Sequence, residues 1–271
     1  MVTTDQWLAK ATALLAQANI PTSRLDAEII LAHTLRKSRT FLHAHGDQEL
    51  DIRQRDIADT RLQLRRERTP IAYIIGHKEF YGRLFRVTPA TLIPRPESET
   101  MITLLKEYAT DHAVHELVDV GTGSGCLGIT AKLELPASHV SLIDTSRHAL
   151  KVAETNATHL RVDVQCIHGN LLHEYPYVAD VILANLPYVD REWERSPETN
   201  YEPKEALFAD DHGLALIKKL LHQVPSKLAA TGSLFLEADE SQHSAIIRSG
   251  QEAGLSHRQT RGMIVHLQRQ S

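Results

Sequence analysis

The chain has 271 residues, 42% apolar and 24% charged, which excludes a disordered tail, a collagen-like repeat or an extended coiled coil and leaves one large or two unequal globular domains. Its 30 Lys and Arg against 34 Asp and Glu give a net charge of −4, so no bulk attraction to nucleic acid or anionic membrane follows. Residues 1–90 hold 14 basic and 10 acidic side chains, leaving 16 and 24 for the remainder: a mildly basic front precedes an acidic body. Cys126 and Cys166 alone cannot build a disulfide framework or a thiolate zinc site. Met1–Asp5 carries no basic cluster before an apolar stretch, and no later apolar run reaches the ~18–20 residues of a membrane helix, so the expectation is a cytoplasmic protein.

In chain order, Trp7, Leu8, Ala11, Leu14, Leu15 and Ala18 recur at helical spacing and predict a helix from Thr4 to about Ala18. Thr22 or Ser23 should start a second helix that buries Leu25, Ile29, Leu31, Ala32 and Leu35. A third, from about Leu50 to Arg68, interleaves Arg53, Arg55, Arg61, Arg65, Arg66 and Arg68 with Asp51, Asp56, Asp59 and Glu67. That pattern reads as a solvated helix face, or as a docking face for a large partner. Lys78–Tyr81, Gly82-Arg83 and Leu84–Thr88 read as a β-hairpin. The expected organisation is a helical domain over 1–75, a hairpin and linker over 76–96, and an α/β domain over 97–271. In the last, strands at Leu117–Val120, Val140–Ile143, Val164–Ile167, Val178–Ala184, Ser233–Ala238 and Met263–Gln268 alternate with helices. The helices start near Cys126 or run over His148–Thr158, Leu214–Ala229 and Gln242–Ala253, the rhythm of a doubly wound parallel sheet.

Ligands of such sheets bind outside the carboxyl ends of the strands, where strand order reverses. The first strand runs into Gly121-Thr122-Gly123-Ser124-Gly125, a nucleotide-type loop, although Gly123-Ser-Gly125-Cys-Leu-Gly128 also fits a dinucleotide fingerprint. Asp144 ends the second strand and could hold the ribose hydroxyls of a nicotinamide cofactor or of S-adenosylmethionine. The discriminating segment is Asn185-Leu186-Pro187-Tyr188, which follows the apolar run Val181–Ala184. Hydride transfer has no evident use for it. A planar nitrogen is a poor nucleophile, and methyl transfer to it gains from the Asn185 side-chain oxygen and the Leu186 carbonyl accepting its two N–H bonds while Tyr188 stacks on the flat group.

The Asn185–Tyr188 segment resembles the Asn-Pro-Pro-Tyr motif of amino-methyltransferases, and Thr88-Pro-Ala-Thr-Leu-Ile-Pro94-Arg95-Pro96-Glu97-Ser98-Glu99 is similar to the segment that marks the PrmC/HemK family. Tyr201–Leu207 resembles a further segment of that family. The resemblance implies a class I S-adenosylmethionine-dependent methyltransferase with a small helical N-terminal domain and a hairpin connector. It further implies methylation of the N5 side-chain amide of the glutamine in the Gly-Gly-Gln loop of peptide-chain release factors, in support of translation termination. Carried over by position, Gly121, Thr122, Gly123, Ser124 and Gly125 would wrap the methionine moiety, Asp144 the ribose, and Asn170 and Leu171 the adenine. Asn185, Leu186, Pro187 and Tyr188 would clasp the glutamine amide, Asn185 also near the cofactor, with Pro94, Arg95 and Glu97 at the entrance.

Three features depart from the family pattern. Leu186 replaces a proline, Asn170-Leu171 replaces an acid and an aromatic, and Gly254–Gln268 lacks the acid-containing loop usual before the last strand. Leu186 also matches ribosomal-RNA adenine dimethyltransferases, so a nucleic-acid N-methyltransferase is the runner-up, and a release-factor or ribosome binding module without turnover is the reading from another class. No metal is expected, because the pairs His43/His45 and His112/His115 stand without carboxylates or thiolates at ligand spacing. No Gly-x-Ser-x-Gly elbow and no positioned general base are found. A monomer without direct nucleic-acid or membrane partners is expected.

Overall fold

The computed structural model describes residues 2–269. Met1, where the leader reading begins, and Gln270 and Ser271, the end of the expected 97–271 domain, lie outside the described residues. Contacts divide the chain into two units: residues up to Gly76 together with Ser196–Tyr201, and His77–Arg195 together with residues from Glu202 onward. The hairpin groups with the second unit, and a short piece of the second half of the chain groups with the first.

In the first unit, β1 (Val2–Thr3) leads into α1 (Thr4–Gln17), followed by α2 (Ser23–Leu35), α3 (Arg39–Ala44), β2 (Glu49–Leu50), α4 (Ile52–Arg66) and α5 (Ile71–Ile75). Thr3 and Asp51 close reciprocal caps with Gln6 and Gln54, which satisfies the free N–H groups at the starts of α1 and α4. Trp7, Leu8, Leu15, Ile30, Leu31, Leu42 and Leu62 form the core. The second helix buries Leu31 and Ala32 as expected and half-buries Ile29 and Leu35, but Leu25 is 39% exposed, whereas Asp26 and Glu28 are buried. The reason is pairing. Arg65 Nε donates to Asp26 Oδ2 at 2.7 Å, and Arg24 and Arg39 each reach Glu28 at 2.7 Å. The arginine-rich face is therefore not wholly solvated, since Arg65 is buried and its Nη1 also donates to Glu198 Oε1 at 3.0 Å. The sequence expectation had passed over α3 and α5.

In the second unit, β3 (His77–Phe80) and β4 (Arg83–Arg86) form the hairpin. Then come α6 (Glu99–Asp111), β5 (Glu116–Val120), α7 (Cys126–Glu134), β6 (His139–Asp144), α8 (Arg147–Leu160), β7 (Gln165–His168) and β8 (Ala179–Ala184). The chain continues through α9 (Lys204–Leu207), α10 (Ala215–Lys227), β9 (Leu228–Glu237), α11 (His243–Glu252), β10 (Leu255–Arg261) and β11 (Ile264–Arg269). The sheet order is β10-β11-β9-β8-β5-β6-β7. Strands β5 to β9 run parallel, but β11 is antiparallel to β9 and β10 to β11, so the expectation of a parallel sheet fails at this edge. The unforeseen β10 is the edge strand, and its His257 and Arg258 side chains lie exposed where a charged strand resists further pairing. Helix α6, also unforeseen, buries Met101, Ile102, Leu104 and Leu105.

Both faces of the sheet are covered, which explains the near-continuous apolar strands. Val118, Val120, Ile182, Ala184, Leu234 and Leu236 pack with Ile217, Leu220 and Val224 of α10 and Ile246 of α11. Leu117, Leu142, Val181, Leu183 and Phe235 form the other cluster with residues of α6, α7, α8 and the hairpin. No helix of the described residues is long and apolar enough to cross a membrane.

Candidate active site

Strand order reverses between β5 and β8, which places the switch point beside both. Register then aligns the site. Val120 pairs with Ile143 on one side and Ala184 on the other, and Ala184 pairs with Leu236. The next residues along each strand are Gly121, Asp144, Asn185 and Glu237, a row across the carboxyl ends of four parallel strands.

A cavity of about 560 Å³ lies over this row. Of the residues singled out from sequence, it is lined by Gly121, Thr122, Gly123, Ser124, Asp144, Asn170, Leu171, Asn185, Leu186, Pro187, Pro94 and Arg95. Gly125, Tyr188 and Glu97 are not among its lining residues. Gly121 has φ +72°, and a Cβ there would lie 2.9 Å from Leu186 Cδ2, so glycine serves both the turn and the close approach of the two loops. Gly123 has φ +55° with nothing within 4 Å of a notional Cβ, and its N–H donates to Asp144 Oδ2 at 2.9 Å. Leu171 is buried with φ +55°, and the Asn170 N–H donates to Glu174 Oε2 at 2.7 Å. Tyr188 packs against the core, its hydroxyl donating to Glu237 Oε1 at 3.2 Å and its carbonyl accepting from Gln242 Nε2 at 2.8 Å.

Three carboxyl groups here are held above their ordinary values. Burial pushes Asp119 up to about 6, against bonds from Thr122 Oγ1 at 2.6 Å and Gly128 N at 2.9 Å, and its Oδ1 is buried without a partner. Burial also raises Asp144, opposed by the Ser146 and Gly123 N–H groups, and raises Glu237, opposed by the Ser98 hydroxyl. Among the described residues no Arg or Lys forms an ion pair with any of the three. Burial and the neighbouring Asp119 push the Cys126 thiol up to about 12, leaving a protonated thiol in the cavity wall.

The sequence reading missed Ser98, Glu202 and Glu237. Glu202 is buried and accepts from Arg95 Nη2 at 2.5 Å and from the Ile93 N–H at 3.1 Å, so it holds the 93–95 segment at the cavity. Glu237 carried a usable signal: it is a lone acid after Leu234-Phe235-Leu236, at a strand end, as Asp144 is.

Comparison with known proteins bears on the family and the fold. Residues 6–76 match the PrmC N-terminal domain, and residues 98–199 match the methyltransferase small domain. The chain is 36% identical over 241 residues to a release factor glutamine methyltransferase of Koribacter versatilis, covering 87% of this chain and 86% of that protein. A protein of the same name from Coxiella burnetii is 36% identical, covering 86% and 85%, and one from Salmonella typhimurium 32% identical, covering 93% and 91%. Among solved structures, a methyltransferase from Pyrococcus furiosus superposes with a TM-score of 0.53 at 17% identity, over 78% of this chain and 95% of that one. The fold is that of a class I methyltransferase. With its two domain matches and relatives above 30% identity over most of both chains, the chain belongs to the release factor glutamine methyltransferase family.

Proposed function

We propose that this protein transfers a methyl group from S-adenosylmethionine to the N5 amide nitrogen of the glutamine in the Gly-Gly-Gln motif of peptide-chain release factors. The observation that carries the reading is a shared cavity: Asn185, Leu186 and Pro187 line the same space as Gly121, Gly123 and Asp144.

The residues present suit the cofactor. The cavity combines apolar walls with Asp144, a carboxyl raised by burial that pairs with no Arg or Lys among the described residues. A ligand with a positive charge and ribose hydroxyls meets those needs. When bound, S-adenosylmethionine supplies an electrophilic methyl group on a positively charged sulfur. Asp144 would hold the ribose, the Gly121–Gly125 loop the methionine portion, and Asn170 and Leu171 the adenine.

Asn185 and the Leu186 carbonyl accept the two N–H bonds of the glutamine amide, which turns its nitrogen toward the methyl carbon and favours positive charge on nitrogen as the bond forms. The rigid Pro187 fixes the carbonyl before it, and Tyr188, packed against the core with its hydroxyl on Glu237, anchors the end of the segment from outside the cavity lining. One proton then leaves the nitrogen to water, a transfer for which no side chain is assigned. Arg95, held by Glu202, borders the entrance. The helical unit is proposed to dock the release factor. Ile57 and Leu64, seven residues apart on α4, are 38% and 40% exposed, so Ile57→Glu and Leu64→Glu should raise KM for the whole factor and leave KM for a Gly-Gly-Gln peptide unchanged.

The test is mass spectrometry of a release factor incubated with the protein and S-adenosylmethionine. One added methyl on the glutamine of the Gly-Gly-Gln peptide is expected. Cofactor binding without that product overturns the substrate assignment and redirects the search to RNA; no cofactor binding leaves a binding module.

A further inference from the structure

We infer that Ser98 and Glu237 are positioning residues that fix the Asn185 side-chain amide with its oxygen toward the acceptor nitrogen; the inference rests on the methyl-transfer reading above. Ser98 Oγ lies 2.5 Å from Glu237 Oε2 and 3.2 Å from Asn185 Nδ2, and the Tyr188 hydroxyl lies 3.2 Å from Glu237 Oε1.

The directions of these bonds follow from counting protons. Ser98 Oγ donates its single hydroxyl proton to Glu237 Oε2, and the Tyr188 hydroxyl donates to Oε1. Ser98 is left with lone pairs alone and must accept from an N–H. The Nδ2 end of Asn185 therefore faces Ser98, and Oδ1 becomes the end offered to a ligand. Flipping the amide by half a turn would set Oδ1 against the Ser98 lone pairs. Ser98 and Glu237 are 2% and 1% exposed, so no bulk water relieves that clash, and the flipped state carries the cost of an unsatisfied buried polar group.

The consequence is chemical. A flipped Asn185 would present a donor to a glutamine nitrogen that itself carries two donors, and the near-attack arrangement would be lost. Accepting from Ser98, the Glu237 carboxyl also polarises the Ser98–Asn185 chain, which strengthens Oδ1 as an acceptor while positive charge grows on the nitrogen. Glu237 stands next in the row after Asn185, and Ser98 ends the 3₁₀ turn Pro96–Ser98 just before α6, so the two supports come from rigid elements on separate parts of the chain.

Glu237→Gln and Ser98→Ala test the inference in the full-length protein. Glu237→Gln keeps the volume but offers one acceptor and one donor, so it cannot accept from both Ser98 and Tyr188. The readouts are kcat and KM for release-factor methylation, S-adenosylmethionine affinity by calorimetry, and thermal unfolding. Glu237→Gln should lower kcat by about tenfold or more, with cofactor affinity within about twofold of the parent and no loss of melting temperature. Ser98→Ala should lower kcat similarly, and the double variant should lose no more than the worse single one, because both act through Asn185. Undiminished kcat in Glu237→Gln overturns the inference while leaving the methyltransferase reading intact. Losses that multiply in the double variant, or that fall equally on cofactor affinity and melting temperature, overturn it too. A parent protein that leaves the release factor unmodified overturns the proposed function and this inference together.

Discussion

The helical unit and the strand ends beside the cavity bury carboxyl groups in opposite ways. In the helical unit, Asp26 and Glu28 are shielded from water but face Arg65, Arg24 and Arg39. Burial would raise Glu28, yet Arg39 and Arg24 hold it below its ordinary value. Glu198, in the segment that joins this unit, is likewise held down to about 2 despite its burial, by Ser196 and Arg65. Around the cavity, Asp119, Asp144 and Glu237 receive only hydroxyl and N–H groups and are all held up. A compensated carboxylate is finished structure; an uncompensated one stores electrostatic work that a cationic ligand can release. The contrast separates scaffold from site without reference to any motif.

The strongest attack on this contrast is Arg65→Ala, which strands Asp26 and should destabilise the protein by about 3–5 kcal/mol in urea unfolding. A loss below about 1 kcal/mol would show the pair to be solvent-screened like a surface bridge. Asn185→Ala should cut kcat by roughly 10²–10³-fold while cofactor affinity stays within a few-fold, since its bonds serve the acceptor nitrogen. Equal activity in that variant removes the clasp. Asp144→Asn should weaken S-adenosylmethionine binding by about 1.5–3 kcal/mol in calorimetry, the range for a hydrogen bond to a charged group.

The smallest expected effect concerns a cation rather than an acid. His266 is 6% exposed, stacked on Phe235 with centroids 4.3 Å apart, and burial together with Arg258 pushes it down to about 4. Its folded value lies below the unfolded one, so the unfolded chain takes the proton first and stability is lost as pH falls from about 6.5 toward 4. At pH 5.5 the loss relative to pH 7.5 should be about 1.4 kcal/mol, and His266→Phe should flatten that slope. A parent-like slope in the variant would assign the effect to another group.

What was legible in the sequence follows the same division. Glycines at 121, 123 and 125, an acid at 144 and an Asn-Leu-Pro-Tyr turn each restrict backbone or chemistry enough to be read locally, and register brings residues 121, 144 and 185 side by side. Glu237 and Ser98 escaped because each means little alone and their bond joins residues 139 apart. Leu25 was misplaced for a related reason: apolar spacing cannot show that Asp26 and Glu28 turn inward to meet arginines 39 and 11 residues away. The antiparallel edge escaped because β10 carries Ser256, His257, Arg258 and Gln259 in place of an apolar run.

The segment Ser196–Tyr201 belongs to a unit whose other residues all precede His77. On a ribosome, the first unit leaves the tunnel long before Glu198 exists. Arg65 and Glu198 are separated by 133 residues, so at ordinary synthesis speed the nascent helical unit waits roughly 7–27 s for its last acidic partner. During that interval Arg65 has Asp26 but not Glu198, and the unit matures only when most of its sister has been made. Stalled chains ending at residue 190 should be cleaved by protease within residues 2–76 faster than chains ending at residue 235; equal rates would show that the late segment adds nothing to the early fold.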